Sequence, residues 1–374
     1  MPLLSDLSDL DGRLQDDLFP RLARELGPLT SKQQHFVTVL EMAPVGAFLT
    51  ACPGLPGRPP ADRAALARAF IAKAVFALPT ASLLIERLLS DKALRWLCGW
   101  DRARAVPSEA TFSRAFAEFA AMGLPSRVHE ALIAQTHKDR LVEHVSRDST
   151  AIEAREKPVK VEPAKRWRRQ RRPEKGEPGW EGVRRIERQQ TMTLDQMLAD
   201  LPKHCAVGIK PNSKGKKLAW TGYKLHIDTA DGDIPVTALL TSASLHDSQA
   251  AIPLARMTAG RVTNCYDLMD SAYDAPEIHA ESLALGHVPI IAEQARRGQK
   301  EAFAAEALAR RNIRMPTAED VRFNARTAAE RVNARLKEEF GGRTVRVRGH
   351  AKVMCHLMFG ILVLAASQLM RLVT

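Results

Sequence analysis

After residue 139 the chain alternates between strand-forming and helix-forming segments, in an order that few folds accommodate. Leu141-Val142-Glu143-His144-Val145-Ser146-Arg147 alternates loosely between apolar and polar side chains, which predicts a strand delivering Asp148 at its end. Residues 221–229 and 234–240 are β-rich runs on either side of Ala230-Asp231-Gly232-Asp233, and a D-G turn between such runs predicts a hairpin. Asp247 stands where it would cap a helix running to Thr258. Asn264-Cys265-Tyr266-Asp267-Leu268-Met269 reads as a buried strand with Asp270 at its carboxyl end. A short helix over 276–285, an apolar strand over 288–292, a helix around Glu330 and an apolar terminal helix complete the chain. Strand, hairpin, helix, strand, helix, strand, helix predicts a mixed α/β sheet with helices on its faces. The terminal run, 354–370, is barely long enough to cross a bilayer and contains His356, Ser367 and Gln368. It is therefore expected as a buried helix, with no membrane partner.

Residues 29–138 carry a helical pattern instead, broken by Pro and Gly at Cys52-Pro53-Gly54-Leu55-Pro56-Gly57. An Ala-rich amphipathic stretch covers 64–76, and a helix with Thr80 as N-cap follows. Pro107-Ser108-Glu109-Ala110-Thr111-Phe112-Ser113-Arg114 opens another, with Ser108 as N-cap. Short helices ending in one with Ser, Thr and Arg near its start suit a helix-turn-helix-like DNA reader in which Arg114 meets DNA. A small helical bundle without that role has the same pattern, and composition does not separate the two. Between the helical and α/β textures lies a polar segment over 153–217 whose core is Lys165-Arg166-Trp167-Arg168-Arg169-Gln170-Arg171-Arg172. Such blocks form flexible interaction arms, and Arg166, Arg168, Arg169, Arg171 and Arg172 are assigned to nucleic acid. The chain thus divides into an all-α DNA-binding domain, 1–138, and an α/β domain, 139–374, that carries this insertion.

Charge points to the same partner. Lys and Arg number 55 against 43 Asp and Glu, a net charge of +12 that favours a polyanion, nucleic acid before a membrane surface. The five cysteines are far apart with no C-x-x-C pair, which argues against a zinc finger or disulfide framework and fits a reducing compartment. The first eleven residues are acidic and lack the pattern of a signal peptide. A soluble, cytoplasmic, nucleoid-associated protein is expected.

The stretch from Phe323 to Lys337 lacks Pro and Gly and is rich in helix formers. At about 100° per residue, Phe323, Arg326, Glu330 and Lys337 fall on one stripe roughly 60° wide, opposite the apolar Ala325, Ala329, Val332, Leu336 and Phe340. One carboxylate between two cations and an aromatic suits a site that handles a metal and a phosphate backbone. The same stripe is also what an ordinary solvated face with an Arg326–Glu330 pair looks like. Asp148, Asp270 and Glu330 converge only if the first and fourth strands are neighbours. Three converging carboxylates repel one another unless a divalent cation lies among them. Hard oxygen donors with open positions suit Mg²⁺ or Mn²⁺. Two such ions, about 3.5–4 Å apart, activate a water or hydroxyl for in-line phosphoryl displacement, with Arg326 and Lys337 on the phosphates.

These motifs resemble those of the DDE transposases of bacterial insertion sequences, in the group with a Y-x2-R-x3-E-x6-K signature. Arg326, Glu330 and Lys337 keep that spacing, and Phe323 stands where the signature has Tyr. Arg147-Asp148-Ser149-Thr150 resembles the first catalytic segment, Leu268-Met269-Asp270-Ser271-Ala272-Tyr273-Asp274 the second, and Gly222-Tyr223-Lys224-Leu225-His226 the hairpin between them. Ala93-Leu94-Arg95-Trp96 and the run from Pro107 to Arg114 extend the likeness to the helical domain. The resemblance implies a ribonuclease H-like fold, DNA cleavage at element ends and transfer of the 3′-hydroxyl to target DNA. It implies Asp148, Asp270 and Glu330 as metal ligands and catalytic residues, Arg326 and Lys337 on phosphates, and Phe323 beside the DNA. It also implies a homodimer on paired ends, with double-stranded DNA (terminal inverted repeats and target) as partner. Phe323 lacks the tyrosine hydroxyl and keeps only the ring. The extra length here lies between Asp148 and the hairpin, not before the Glu330 helix. Two other functions compete: a catalytically silent or repurposed DNA-binding derivative, and a metal-dependent nuclease without strand transfer.

Overall fold

The computed structural model describes residues 2–49, 61–137, 140–159, 184–211, 216–293, 300–313 and 317–374. The Pro-Gly break at 52–57 and the basic core at 165–172 lie outside them. The first half is helical: α1 (Pro2–Arg13), α2 (Phe19–Leu26), α3 (Ser31–Met42), α4 (Arg63–Val75), α5 (Ala81–Ser90), α6 (Lys92–Cys98), α7 (Glu109–Ala121) and α8 (Leu124–His137). Short polar side chains start several of these helices by taking orphan amide protons. Thr30 forms a capping box with Gln33, and Thr80 accepts from the Leu83 amide as expected. Asp91 caps α6 by accepting from Leu94. Ser108 sits at the N-cap of α7 but makes no capping bond; its hydroxyl lies 3.3 Å from that of Thr111.

The second half contains a six-stranded mixed sheet built from β1 (Leu141–Glu153), β2 (Ala206–Pro211), β3 (Lys217–Ala230), β4 (Ile234–Ser242), β5 (Thr263–Met269) and β6 (Val288–Ile291). Helices α9 (Arg185–Gln189) and α10 (Leu194–Asp200) precede β2, α11 (Ser248–Ala259) crosses from β4 to β5, and α12 (Pro276–Ala284) crosses from β5 to β6. α13 (Lys300–Ile313), α14 (Ala318–Phe323), α15 (Thr327–Glu338) and α16 (His350–Met370) complete the chain. The path β4–β3–β1–β5–β6 has antiparallel pairing from β4 to β1 and parallel pairing from β1 to β6. This is the ribonuclease H-like arrangement, with the first and fourth expected strands as neighbours.

Three expectations change. β1 continues to Glu153, so Asp148 lies inside a strand rather than at its end. The cause is the long antiparallel register with β3, which runs to Glu153↔Gly222, whereas parallel pairing with β5 stops at Arg147↔Met269. β2 was not foreseen, because its short run falls in the Lys-rich segment read as an unstructured arm. Residues 184–211 of that segment instead form α9, α10 and β2.

α16 is apolar over most of its surface and largely buried, packed by α3, α4, α7 and α8 and by β4. One hydrophobic cluster runs through it from Phe36, Phe70 and Phe112 to Leu225 and Ile227 of the sheet. The expectation of a buried terminal helix is met by the protein's own helices and sheet.

Alternation along β1 divides the sheet's faces. Arg147 turns toward α11 and forks onto Asp228 of β3, its own register partner, at 2.8 and 2.7 Å. The Thr258 hydroxyl of α11 donates to the same carboxylate at 2.6 Å. Arg147 is 2% exposed; burial works against its charge, but Asp228 outweighs this and holds it protonated. Asp148, one residue on, turns to the other face, toward α15. At the far end of this pairing Gly222 has φ +153°, and a Cβ there would collide with the Ile152 carbonyl, so β1 and β3 meet only over a glycine.

Arg147→Met leaves Asp228 as an unpaired buried carboxylate and is expected to cost about 3–5 kcal/mol. Urea denaturation measures this; a loss below about 1 kcal/mol would show that the pair does not hold the sheet.

Candidate active site

The parallel register ends at Arg147↔Met269, so the next residues are Asp148, still inside β1, and Asp270, just past the carboxyl end of β5. The two carboxylates are near enough for the charge of Asp270 to act on Asp148. Asp270 is fixed by its own turn: Oδ1 accepts from the Ala272 amide at 2.9 Å. Asp148 is fixed from above by Asn333 of α15, whose Nδ2 donates to Oδ2 at 3.0 Å. The Ser146 hydroxyl, on the same face, donates to the Ala325 carbonyl at 3.2 Å just before α15 begins. Arg331 forks onto Asp233 in the hairpin turn at 2.8 and 2.6 Å. α15 is therefore tied to β1 and to the β3–β4 turn along its length.

The Glu330 helix differs from its expected form. Phe323 ends α14, Asn324–Arg326 form a tight 3₁₀ turn, and α15 starts at Thr327. The single 3.6-residue wheel is interrupted where Ser146 engages the Ala325 carbonyl. Glu330 is 53% exposed at its side chain and accepts from Arg326 Nη2 at 2.6 Å. The Arg326 guanidinium in turn lies 5.5 Å from the centroid of the Phe323 ring. Phe323, Arg326 and Glu330 thus form a chain of contacts in which an aromatic ring holds the arginine, a role that needs no hydroxyl.

The structure brings Asp148 and Asp270 together and sets the backbone of Glu330 one helical turn from Asn333. It does not bring the Glu330 carboxylate onto the pair: among the described residues, no three acidic, His or Cys side chains are grouped to hold a metal ion. The donor chemistry nevertheless fits a divalent cation. Burial, and then the like charge of Asp270, push the Asp148 carboxyl above its ordinary value, against the opposing pull of the Ser149 amide, Lys210 and Arg326. A cation between the two carboxylates would relieve that repulsion; the Glu330 carboxylate is engaged by Arg326 instead.

Cations gather around the pair. Burial, and then Arg343 and Lys210, hold the Lys337 ammonium below its ordinary value, while Glu153 and Asp148 act the other way. Beneath the site, on the α11 face, Asp247 does not cap α11 as expected. It pairs with Lys224 Nζ at 2.9 Å and lies close enough to Ser149, the neighbour of Asp148, to feel its hydroxyl. Burial opposes its charge, but His226 and Lys224 outweigh it and hold the carboxyl low. Tyr273 is fully buried nearby, its hydroxyl without a hydrogen-bond partner among the described residues. Burial and the charges of Asp247, Asp148 and Asp270 keep that phenol protonated.

Asn333, Lys210, Asp247 and Tyr273 were not singled out as site residues in the sequence. Asn333 was within reach, since it stands three residues after Glu330 and so beside it on the helix. Lys210 carried no signal, because its strand was not expected. Arg114 is exposed on α7, which packs on helices α4, α5, α8 and α16, and its Nη2 lies 3.4 Å from the Thr111 hydroxyl. Arg166, Arg168, Arg169, Arg171 and Arg172 lie outside the described residues.

Comparison with known families adds two findings. A family model described as Transposase DDE domain matches residues 143–365, a span that contains Asp148, Asp270 and the whole Glu330 helix. A second, described as Transposase domain (DUF772), matches residues 28–118 within the helical half. Neither a curated protein nor a solved structure matched the chain.

The adjacency of the two aspartates sets a pH dependence. Because the folded Asp148 carboxyl is raised, folding favours its protonated form, a contribution present at low pH and lost as pH rises through the folded midpoint. Carbon-13 NMR titration of the metal-free protein should place Asp148 above a free aspartate, and Asp270→Asn should lower that midpoint by removing a like charge. A midpoint indifferent to Asp270→Asn would separate the two carboxylates.

Proposed function

The chain belongs to the Transposase DDE domain family, and from that premise we propose that it cleaves DNA at the ends of an insertion element and joins the freed 3′-hydroxyl to target DNA. The observation that carries this reading is the placement of Asp148 on β1 beside Asp270 at the end of the parallel strand β5, with the Glu330 helix bonded to Asp148 through Asn333. The family uses divalent metal ions. We assign Mg²⁺, with Mn²⁺ as substitute and two ions as the stoichiometry, to Asp148, Asp270 and Glu330. When bound, such ions polarise the scissile phosphate and lower the pKa of the attacking water or hydroxyl.

The protein's own groups do the rest. Asn333 orients Asp148 so that one carboxylate oxygen is held and the other is available. Arg326 transfers from Glu330 to a DNA phosphate, exchanging one anion for another and freeing the third carboxylate. Its planar fork suits a phosphate, and the Phe323 ring keeps the guanidinium oriented during the exchange. Lys337, half-buried and within reach of Arg343 and Lys210 as well as of Glu153 and Asp148, gains a further counter-charge when the backbone arrives. Arg114 and the arginines at 166–172 bind the duplex away from the cut, and two copies hold paired inverted repeats.

One observation favours a second reading, a DNA-binding derivative that does not cut. Glu330 is already satisfied by Arg326, and without release of that pair only two carboxylates face the scissile bond. The two readings separate in one experiment. Purified protein is incubated with Mg²⁺ and a duplex carrying the borders of its own gene, and products are resolved on a denaturing gel. Cleaved and joined strands are expected, and Asp270→Asn or Glu330→Gln should lower turnover by roughly a thousandfold while the gel shift remains. A wild-type gel shift with no cleavage supports the silent binder; cleavage without joining supports the nuclease.

A further inference from the structure

The segment 203–220 contains five lysines and not one acidic residue, although acids make up 43 of the 374 residues of the chain. Its described part is the β2–β3 ribbon, paired from Ala206↔Gly222 to Pro211↔Lys217. The register puts Lys210 opposite Leu218 and Gly208 opposite Trp220, with Val207, Ile209 and Ala219 on the other face. Trp220 lies across Gly208, where any Cβ would strike the indole, and its Nε1 donates to the Tyr223 carbonyl at 3.0 Å. That contact stiffens the base of the ribbon and leaves its apolar side chains outward: Ile209 is 63% exposed, Leu218 59% and Val207 45%.

Exposed apolar side chains on a short edge ribbon are a liability unless a partner covers them. Here the charge selects the partner. Neither Lys210 nor Lys217 has an ion-pair partner among the described residues, and no acid of the segment competes for them. The turn end of the ribbon is the end near the candidate active site: Lys210, one pair from it, is near enough to act electrostatically on both Asp148 and Lys337. A groove of duplex DNA admits a two-stranded ribbon, with phosphates on its rims and apolar sugar and base edges within.

We propose that the β2–β3 ribbon enters a groove of the DNA duplex beside the scissile bond, with Lys210 and Lys217 on the phosphates and Ile209 and Leu218 against sugars and base edges. This rests on the transposase reading and adds a contact surface to it, one on the catalytic half of the chain and separate from Arg114 and the arginine arm. Lys210 then links the ribbon to the cut: it shares with Lys337 the phosphates that reach Asp148.

The test measures binding of a fluorescein-labelled duplex from the border of its own gene, and of a scrambled duplex of equal length, by anisotropy across a salt series. Lys210→Ala should weaken both several-fold and reduce the slope of log affinity against log salt by about 1, and Lys210→Arg should restore the slope. Ile209→Ser with Leu218→Ser should weaken the border duplex more than the scrambled one. All of these side chains are exposed, so the variants should melt with the wild type. Wild-type cleavage together with unchanged slope in Lys210→Ala and unchanged affinity in the double variant overturns the ribbon alone. A wild-type protein that neither binds nor cuts either duplex overturns the transposase reading with it.

Discussion

The buried fork between Arg147 and Asp228 determines where everything else lies. A guanidinium with almost no exposure is stable only against a carboxylate, and this carboxylate belongs to the residue directly across the β1–β3 ladder. A one-residue slip of β1 would carry Arg147 to the α15 face and bury Asp148 against α11. The ion pair therefore specifies register more than it adds stability. With the register set, parallel pairing to β5 brings Asp148 and Asp270 close together, and Asp148 faces α15, the helix that carries Glu330. The buried charge and the candidate site are consecutive residues on one strand, pointing to opposite faces.

Much of this was legible in the sequence because the signals were local. The hairpin announced itself through Asp231-Gly232, and Gly232 and Asp233 do adopt left-handed backbone angles there. The element order fixed which strands had to be neighbours for Asp148 and Asp270 to meet, and they are neighbours. What was not legible depended on partners distant in sequence. β1 outruns its alternating pattern because β3 continues to pair with it, and β2 exists only because β3 offers an edge. Asp247 looked like a cap by position, but the Lys224 ammonium offers it a stronger partner than a backbone amide does. The stripe from Phe323 to Lys337 was drawn on a continuous helix, and a 3₁₀ turn held by Ser146 breaks it.

Electrostatically the site is unfinished without its ligands. Two carboxylates face each other with one raised by burial and by the other's charge, while lysines and arginines on three different elements surround them. Burial outweighs the partial counter-charges that Asp148 and Lys337 find in each other and in their neighbours. The Arg326–Glu330 pair is the internal compromise, in which the groups proposed for a phosphate and for a metal neutralise each other. The helical half of the chain is not loosely attached to this site: α16 lies between the two and packs against both, so one core supports them.

The central claim is that Glu330 leaves Arg326 and closes a metal site with Asp148 and Asp270 once DNA is bound. Iron-mediated cleavage of the polypeptide tests it most directly: Fe²⁺ replaces Mg²⁺, and ascorbate with peroxide cuts the chain close to the bound ion. Cuts near Asp148 and Asp270 are predicted in the free protein, with a further cut near Glu330 when the border duplex is present. Cuts that avoid Asp148 and Asp270, or a Glu330 region untouched with DNA bound, would contradict it.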